Sequence, residues 1–222
     1  MMNESLRAVV AADLAPVRPL RAPLRRAWPV APLAVLLLVA APLVFSLRDI
    51  TALGWFWSWG ASTLEMIVGV AVVVLALHES VPGRTWSARA LVGAVAGTAL
   101  LWAATTFGAW QASPVTLSRH WWTIAAICAA CSAITALPAV VLSAVLVAHA
   151  YPVRPHVAGA LAGLGAGLMA DAGWRLFCHY SEPSHVVVAH LGGVMLAAGA
   201  GMVMTVQLVR RAYGYSPGYT PR

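Results

Sequence analysis

Six apolar runs, each close to the length of a membrane span, constrain the fold of this chain more than any other feature of its sequence. The first lies between Arg26 and Arg48 and contains 21 residues without a charge, enough for a helix that crosses a hydrocarbon core of about 30 Å. Five comparable runs follow, at residues 63–77, 90–110, 123–148, 157–177 and 186–209. The sequence therefore predicts an all-α fold, a polytopic membrane bundle of six transmembrane helices.

The distribution of basic residues predicts the orientation of this bundle. All 14 basic residues are arginines, and six spans put both chain termini on one side of the membrane. Eleven arginines fall on that side: Arg7, Arg18, Arg21, Arg25, Arg26, Arg84, Arg89, Arg154, Arg210, Arg211 and Arg222. The other three, Arg48, Arg119 and Arg175, fall on the opposite side. Because basic residues accumulate in cytoplasmic loops, both termini are predicted to be cytoplasmic.

The composition agrees with a membrane protein. Hydrophobic residues make up 61% of the chain and charged residues 9%, and the mean hydropathy is +0.80, a surface that a soluble domain of this size would not tolerate. The net charge of +7 comes from arginines scattered in short loops beside apolar runs, where they anchor to anionic lipid headgroups. The bilayer is therefore the predicted partner of this charge, and direct nucleic-acid binding is not expected.

The chain divides into three predicted segments: a cytoplasmic N-terminal tail (1–26), a transmembrane domain (27–209) and a cytoplasmic C-terminal tail (210–222). In the N-terminal tail, Leu6, Val10 and Leu14 recur at four-residue spacing, which predicts a short helix with one apolar face that ends at Pro16. A helix this short is marginal alone in water. Two interpretations remain open: it lies on the membrane surface beside the basic segment 18–26, or it folds against a protein partner.

Glycines in two of the runs predict close helix packing. Gly159, Gly163 and Gly167 share one helix face in the fifth run, and a stripe of small residues lets a neighbouring helix approach closely. Gly93 and Gly97 repeat the pattern in the third run.

Polar and sulfur-containing side chains concentrate at the predicted outer end of the bundle. They are Glu65, Cys128, Cys131, Asp171, Arg175, Cys178, His179, Glu182, His185 and His190. Asp171 and Arg175 lie four residues apart and can pair. Three interpretations of the cysteines are open: apolar packing, a disulfide between Cys178 and a thiol of the fourth span, or a sensor in which thiolates and imidazoles bind a soft or borderline metal ion.

The sequence contains no recognisable enzyme motif. It lacks a glycine-rich phosphate loop, H-E-x-x-H and G-x-S-x-G, and the C-x-x-C of Cys128 and Cys131 lacks the βαβ context of a thioredoxin site. A transporter would be expected to carry charge at the membrane midplane, and none lies there, although Pro138 interrupts the fourth run. The protein is therefore not expected to be an enzyme, and sensing or signalling is favoured over transport.

An ordered set of short features resembles one bacterial family over essentially the whole chain. The set comprises residues 11–20 (AADLAPVRPL), Pro23, Arg25, Arg26, Glu65, residues 81–84 (VPGR), Cys128 ten residues before Pro138, residues 153–155 (VRP), the glycines of 159–167, Cys178, His185 and His190. In these features the chain resembles the NrsF family. These are six-span inner-membrane anti-sigma factors that hold an extracytoplasmic-function (ECF) sigma factor inactive.

The resemblance implies a sigma factor as the partner of the N-terminal tail and a stress response that depends on two cysteines. The tail residues assigned in this way to sigma-factor binding are Leu6, Val10, Asp13, Leu14, Pro16 and Val17. For the response to metal or oxidant, Cys178 matches the family's cysteine after the fifth span. Cys128 fits the fourth-span cysteine by its distance to Pro138, and Cys131 is a further candidate sensor there.

The resemblance and the residue types also define a candidate metal site. No resident cofactor is expected, but a transient soft or borderline metal ion would bind Cys128, Cys178, His179 and His185. The chain departs from the family in this loop, where His179 and Tyr180 follow Cys178 in place of the usual proline. A small metal transporter or a membrane oxidoreductase subunit is the alternative. A neighbouring ECF sigma-factor gene would favour the anti-sigma factor, and a metalloenzyme operon would favour the alternative.

Overall fold

The chain is mostly helical in the part that the computed structural model describes, residues 8–9, 11–12, 19–45, 53–112 and 119–213. No strand occurs among these residues, so the predicted all-α class is confirmed for them. The helices are α1 (Pro23–Ala27), α2 (Val30–Phe45), α3 (Phe56–Glu79), α4 (Ala88–Ala112), α5 (Trp121–Ala148), α6 (Pro155–Phe177) and α7 (Pro183–Ala212). Helix α3 begins with a π-helical turn at Phe56–Gly60, and α7 contains another at Val187–Leu191.

Among the residues that the structure describes, five helices, α3 to α7, are long and apolar enough to cross a membrane. The first predicted span differs: between Arg26 and Arg48 the chain forms the end of α1, a turn at residues 28–29 and then α2. Helix α2 has 16 residues, or about 24 Å at 1.5 Å per residue, which is shorter than the hydrocarbon core. Pro29 accounts for the break, because it lacks the N–H that would continue the hydrogen bonding of α1. The structure therefore shows five full-length spans, not clearly six.

Helix α6 is the centre of the bundle, because glycines on two of its faces admit neighbouring backbones. Along its apolar stretch 83% of the residues are buried, against 11% in α4. A Cβ atom added to Gly159 would lie 2.7 Å from the Gly201 carbonyl oxygen of α7, and one on Gly165 would lie 2.6 Å from that of Gly69 in α3. The close packing predicted for the 159–167 stripe is confirmed.

Helix α4 packs differently from the prediction. A Cβ atom added to Gly93 or Gly97 would meet nothing within 4 Å among the described residues, so the close approach predicted there is wrong. Small residues permit close packing but do not require it, and most of α4 faces outward, with Val92 and Leu100 exposed. Pro138 was expected to interrupt the fourth span, but it lies inside the continuous helix α5.

The glycine stripe gives a direct test of this packing. Gly163→Leu is expected to lower the thermal stability of the purified protein, because its Cβ would lie 2.8 Å from the Ala198 Cα atom of α7; overpacking of this kind costs about 1–3 kcal/mol. Gly199→Leu is the matched control, since a Cβ there meets nothing within 4 Å. Equal melting temperatures for the two variants in detergent would contradict the packing.

Candidate functional site

The antiparallel arrangement of α3 to α7 gathers the unusual side chains at one end of the bundle, which we call the cysteine end. The beginnings of α3, α5 and α7 and the ends of α4 and α6 meet there. The opposite end, where α1 lies beside the last turns of α3 and α5, is called the tail end. The cysteine end contains two polar groups that adjoin one another.

The first group is a triangle formed by Cys128, Cys178 and His185, which we call the thiol–imidazole triangle. Their two sulfur atoms and an imidazole nitrogen all lie within 4.8 Å of one another. The Cys178 Sγ and His185 Nε2 atoms are 3.4 Å apart. Cys178 and His185 are buried and Cys128 is half-buried, and no disulfide joins the cysteines. Three candidate metal ligands thus converge from α5, α7 and the loop that precedes α7.

The loop between α6 and α7 places Cys178 beside His185. The Cys178 N–H donates to the Trp174 carbonyl at 2.8 Å and ends α6, after which the chain is extended. Glu182 then caps the first turn of α7: its carboxylate accepts from the His185 N–H at 3.1 Å and from the Ser184 hydroxyl. A side-chain acceptor at this position satisfies backbone donors that the helix itself leaves unpaired. The cap therefore fixes the turn that brings His185 back to Cys178.

The second group is a buried ionic network centred on Arg175 and Asp171 of α6. The Arg175 Nε atom lies 3.0 Å from a Glu65 carboxylate oxygen of α3 and 3.1 Å from Asp171. Asp171 also pairs with His190 Nδ1 of α7 at 2.6 Å. The pairing predicted between Asp171 and Arg175 is confirmed. Removing one partner from a buried pair typically costs about 3–5 kcal/mol, so the network ties α3, α6 and α7 together.

Helix α4 joins the network through side chains that the sequence analysis did not single out. The Trp102 indole N–H donates to Asp171 at 3.2 Å, and the Arg175 guanidinium donates to the Thr106 hydroxyl at 2.7 Å. The guanidinium also lies over the Trp102 ring, 5.1 Å from its centroid, a cation–π arrangement. The sequence signal for this contact was a pair of adjacent threonines, Thr105 and Thr106, within an apolar run. Their partner, Arg175, lies 69 residues after Thr106, and sequence spacing could not identify it.

The two groups are in contact through their histidines. The His185 and His190 rings lie edge to face with centroids 5.8 Å apart, and His190 belongs to the π-helical turn of α7. Such turns are often found at functional sites. A cavity of about 30 Å³ is bordered by Cys178, Arg175 and His190, which is room for a water molecule. The triangle therefore adjoins the ionic network directly, through the contact between His185 and His190.

The other candidate residues lie apart from the triangle. Cys131 is half-buried on α5 and is not among the residues that converge on it. His179 is exposed and sits edge-on to Phe177, outside the ligand group. The tail residues assigned to sigma-factor binding, Leu6, Val10, Asp13, Leu14, Pro16 and Val17, lie outside the described residues.

At the tail end, one arginine connects three helices. Arg26 of α1 donates to the Leu77 carbonyl of α3 at 3.2 Å and to the Leu146 carbonyl of α5 at 2.6 Å. Both carbonyls lie at helix C-termini, where a cation is stabilised, while burial lowers the pKa of the guanidinium from its usual value. A second contact, between Glu79 and Arg154 at 2.9 Å, holds the chain that precedes α6 against α3.

These features define a class: a helical protein, with five helices long and apolar enough to span a membrane among its described residues, in which a buried ionic network adjoins a thiol–imidazole triangle. Within that class the chain belongs to the NrsF family, described as negative regulator of sigma F, whose sequence model matches residues 10–210. No curated protein and no solved structure gives a significant match. The family description makes the chain a negative regulator of a sigma factor, with a sigma factor as its partner.

Proposed function

We propose that this protein is an anti-sigma factor of the bacterial inner membrane that senses metal or oxidant through cysteines. Its tail residues Leu6, Val10, Asp13, Leu14, Pro16 and Val17 hold an ECF sigma factor at the cytoplasmic face. A periplasmic signal at Cys128 and Cys178 releases it. The observation that carries the proposal is the convergence of both cysteines with His185 within 4.8 Å, at the end of the bundle opposite α1.

The chemistry of the triangle suits both kinds of signal. Two thiolates and an imidazole are preferred ligands of soft and borderline ions such as Cu(I) and Zn(II). Sulfur ligands of a tetrahedral zinc ion at about 2.3 Å lie roughly 3.8 Å from one another, so a small contraction would bring the three donor atoms of the triangle to ligand spacing, with water as the fourth ligand. Alternatively, an oxidant accepts two electrons, the two thiols release two protons, and a bond of about 2.05 Å forms between the sulfur atoms. Either event draws the start of α5 towards the loop before α7.

Helix α5 provides the path from this event to the tail. It carries Cys128 near one end and Leu146, the acceptor of the Arg26 hydrogen bond, near the other. A helix is stiff along its axis, so a displacement at Cys128 changes the position of the Leu146 carbonyl. Arg26 is the last residue of the tail (1–26), so loss of its bond to Leu146 would alter how the tail is presented. The resting and signalled states thus differ in a defined contact, as a two-state switch requires.

The proposed orientation rests on the eleven-to-three division of arginines and on counting α2 as the first of six spans. Reporter fusions at Arg211 and at Glu182 are expected to lie in opposite compartments, the former cytoplasmic and the latter periplasmic. An alkaline phosphatase fusion reports the periplasm and a green fluorescent protein fusion the cytoplasm. If both positions report the same compartment, the six-span orientation is incorrect.

Metal binding by the purified protein tests the triangle directly. One equivalent of Cd(II), followed by thiolate-to-metal absorption, is expected to bind the reduced chain. Cys128→Ser, Cys178→Ser and His185→Ala should each weaken binding by about tenfold or more, because each removes a ligand and even indirect ligand partners matter to this extent. Cys131→Ser is the matched control and should bind normally. Unchanged affinity in Cys178→Ser, or equal loss in Cys131→Ser, would contradict the site.

A further inference from the structure

A groove of about 560 Å³ lies at the tail end, away from both polar groups of the cysteine end. Its volume is in the range of roughly 300–1,000 Å³ that is typical of small-molecule sites. Its walls come from the segment around α1, the start of α2 and one side of α3. The lining residues are Arg21, Leu24, Arg25, Ala27, Trp28, Ala31 and Val70.

The groove is polar at its mouth and apolar further in. Arg21 and Arg25 are exposed, and Trp28, beside them, is 77% exposed, as is typical of a tryptophan at a membrane–water interface. Val70 lies seven residues before Leu77, whose carbonyl meets Arg26, and is therefore about 10 Å deeper along α3. A ligand that fills the groove must be anionic at one end and apolar at the other.

The mouth of the groove is a fixed structure. Arg26 points away from it and anchors α1 to α3 and α5 through the Leu77 and Leu146 carbonyls. Ala27, next in sequence, is buried in the core. The neighbouring Arg21 and Arg25 are thus presented outward by an anchored segment. Both side chains are exposed, and neither forms an ion pair with another residue in the described ranges.

We propose that this groove binds one anionic glycerophospholipid from the leaflet on the tail side. The phosphate would lie between Arg21 and Arg25, and an acyl chain would follow Ala31 and Val70 into the hydrocarbon region. Basic pockets between membrane helices are suited to anionic headgroups, and each arginine near the surface adds to the attraction. The proposal rests on the placement of α3 in a membrane. It is independent of the sigma factor and of the cysteines.

Lipid retention by the full-length protein tests the proposal. The purified chain is incubated in detergent with phosphatidylglycerol or with phosphatidylcholine, and retained lipid is counted by native mass spectrometry. We expect one phosphatidylglycerol per chain and little phosphatidylcholine. Arg21→Ala with Arg25→Ala should reduce phosphatidylglycerol retention by roughly tenfold or more.

Two further variants control for charge and for folding. Arg210→Ala with Arg211→Ala removes two exposed arginines at the tail end of α7 and should retain phosphatidylglycerol normally. Val70→Phe leaves the charge unchanged but fills the apolar part of the groove, and it should also lose the lipid. Equal loss in the Arg210 and Arg211 variant, equal retention of both lipids, retention in Val70→Phe, or a second copy of the chain in place of lipid would each overturn the proposal.

Discussion

Leu14→Asp is expected to release the sigma factor and to switch its regulon on in the absence of any stress. Burial of a leucine side chain contributes about 1.5–3 kcal/mol, and a carboxylate in the same apolar contact adds a desolvation cost. Together these correspond to a loss of binding of at least roughly a hundredfold. A reporter gene under a promoter of the sigma factor measures the effect, with expression approaching that of a strain without the anti-sigma factor.

Ala12→Asp is the matched control for this experiment. Residue 12 lies about 200° around a helix from residues 10 and 14, so an aspartate there points away from the predicted apolar face, and Ala12 is exposed. This variant should repress normally. The prediction would be contradicted if the Leu14→Asp protein is present in the membrane at normal levels and still represses. The tail would then not be part of the proposed interface.

Cys178→Ser is expected to show the opposite behaviour: normal repression without stress, but little or no induction by Cd(II) or by a thiol oxidant. The substitution leaves the tail unchanged and is nearly isosteric, so the resting state should persist. It removes one corner of the triangle, so neither a bridging metal nor a disulfide to Cys128 can form. Sigma-dependent expression before and after addition of the inducer gives the measurement.

Cys131→Ser separates this prediction from a general effect of losing a thiol. Cys131 lies on the same helix as Cys128 but outside the triangle, so its replacement should leave induction intact. Full induction in the Cys178→Ser strain would show that Cys178 is not needed for sensing, and would favour apolar packing as the role of Cys128 and Cys178. Loss of induction in Cys131→Ser alone would make Cys131 the fourth-span sensor.

The sequence was sufficient for features that depend on local pattern. The lengths of the apolar runs predict the ends of α3 to α7 to within one helical turn, except that α3 begins earlier than predicted. The four-residue spacings predict the Asp171–Arg175 pair and the close packing of the glycine stripe that begins at Gly159. Antiparallel order also places the cysteines at one end. These properties follow from the helical repeat and from alternation of direction, both of which can be read along a single chain.

Contacts between helices that are far apart in the sequence could not be predicted from local pattern. Glu65 and Arg175 pair across more than a hundred residues, and Trp102 meets Asp171 across 69. Spacing defines the face on which a side chain lies but not the helix that faces it. In the loop after α6, His185 rather than the adjacent His179 meets Cys178 because Glu182 caps a new helix turn there.

The buried network has a consequence for how the protein reaches its mature form. Helix α6 is the least apolar of the five long helices, with a mean hydropathy of 1.2 against 2.2 for α5, and it carries Asp171 and Arg175. Pairing within the helix reduces the cost of inserting these charges, but Glu65 and His190 arrive on other helices, one made before α6 and one after. We therefore expect α6 to reach its final packing only after α7 has been synthesised, because Asp171 lacks His190 until then. A chain that ends before α7 would leave Asp171 without His190, so we expect such truncated chains to be less stable than the full-length protein.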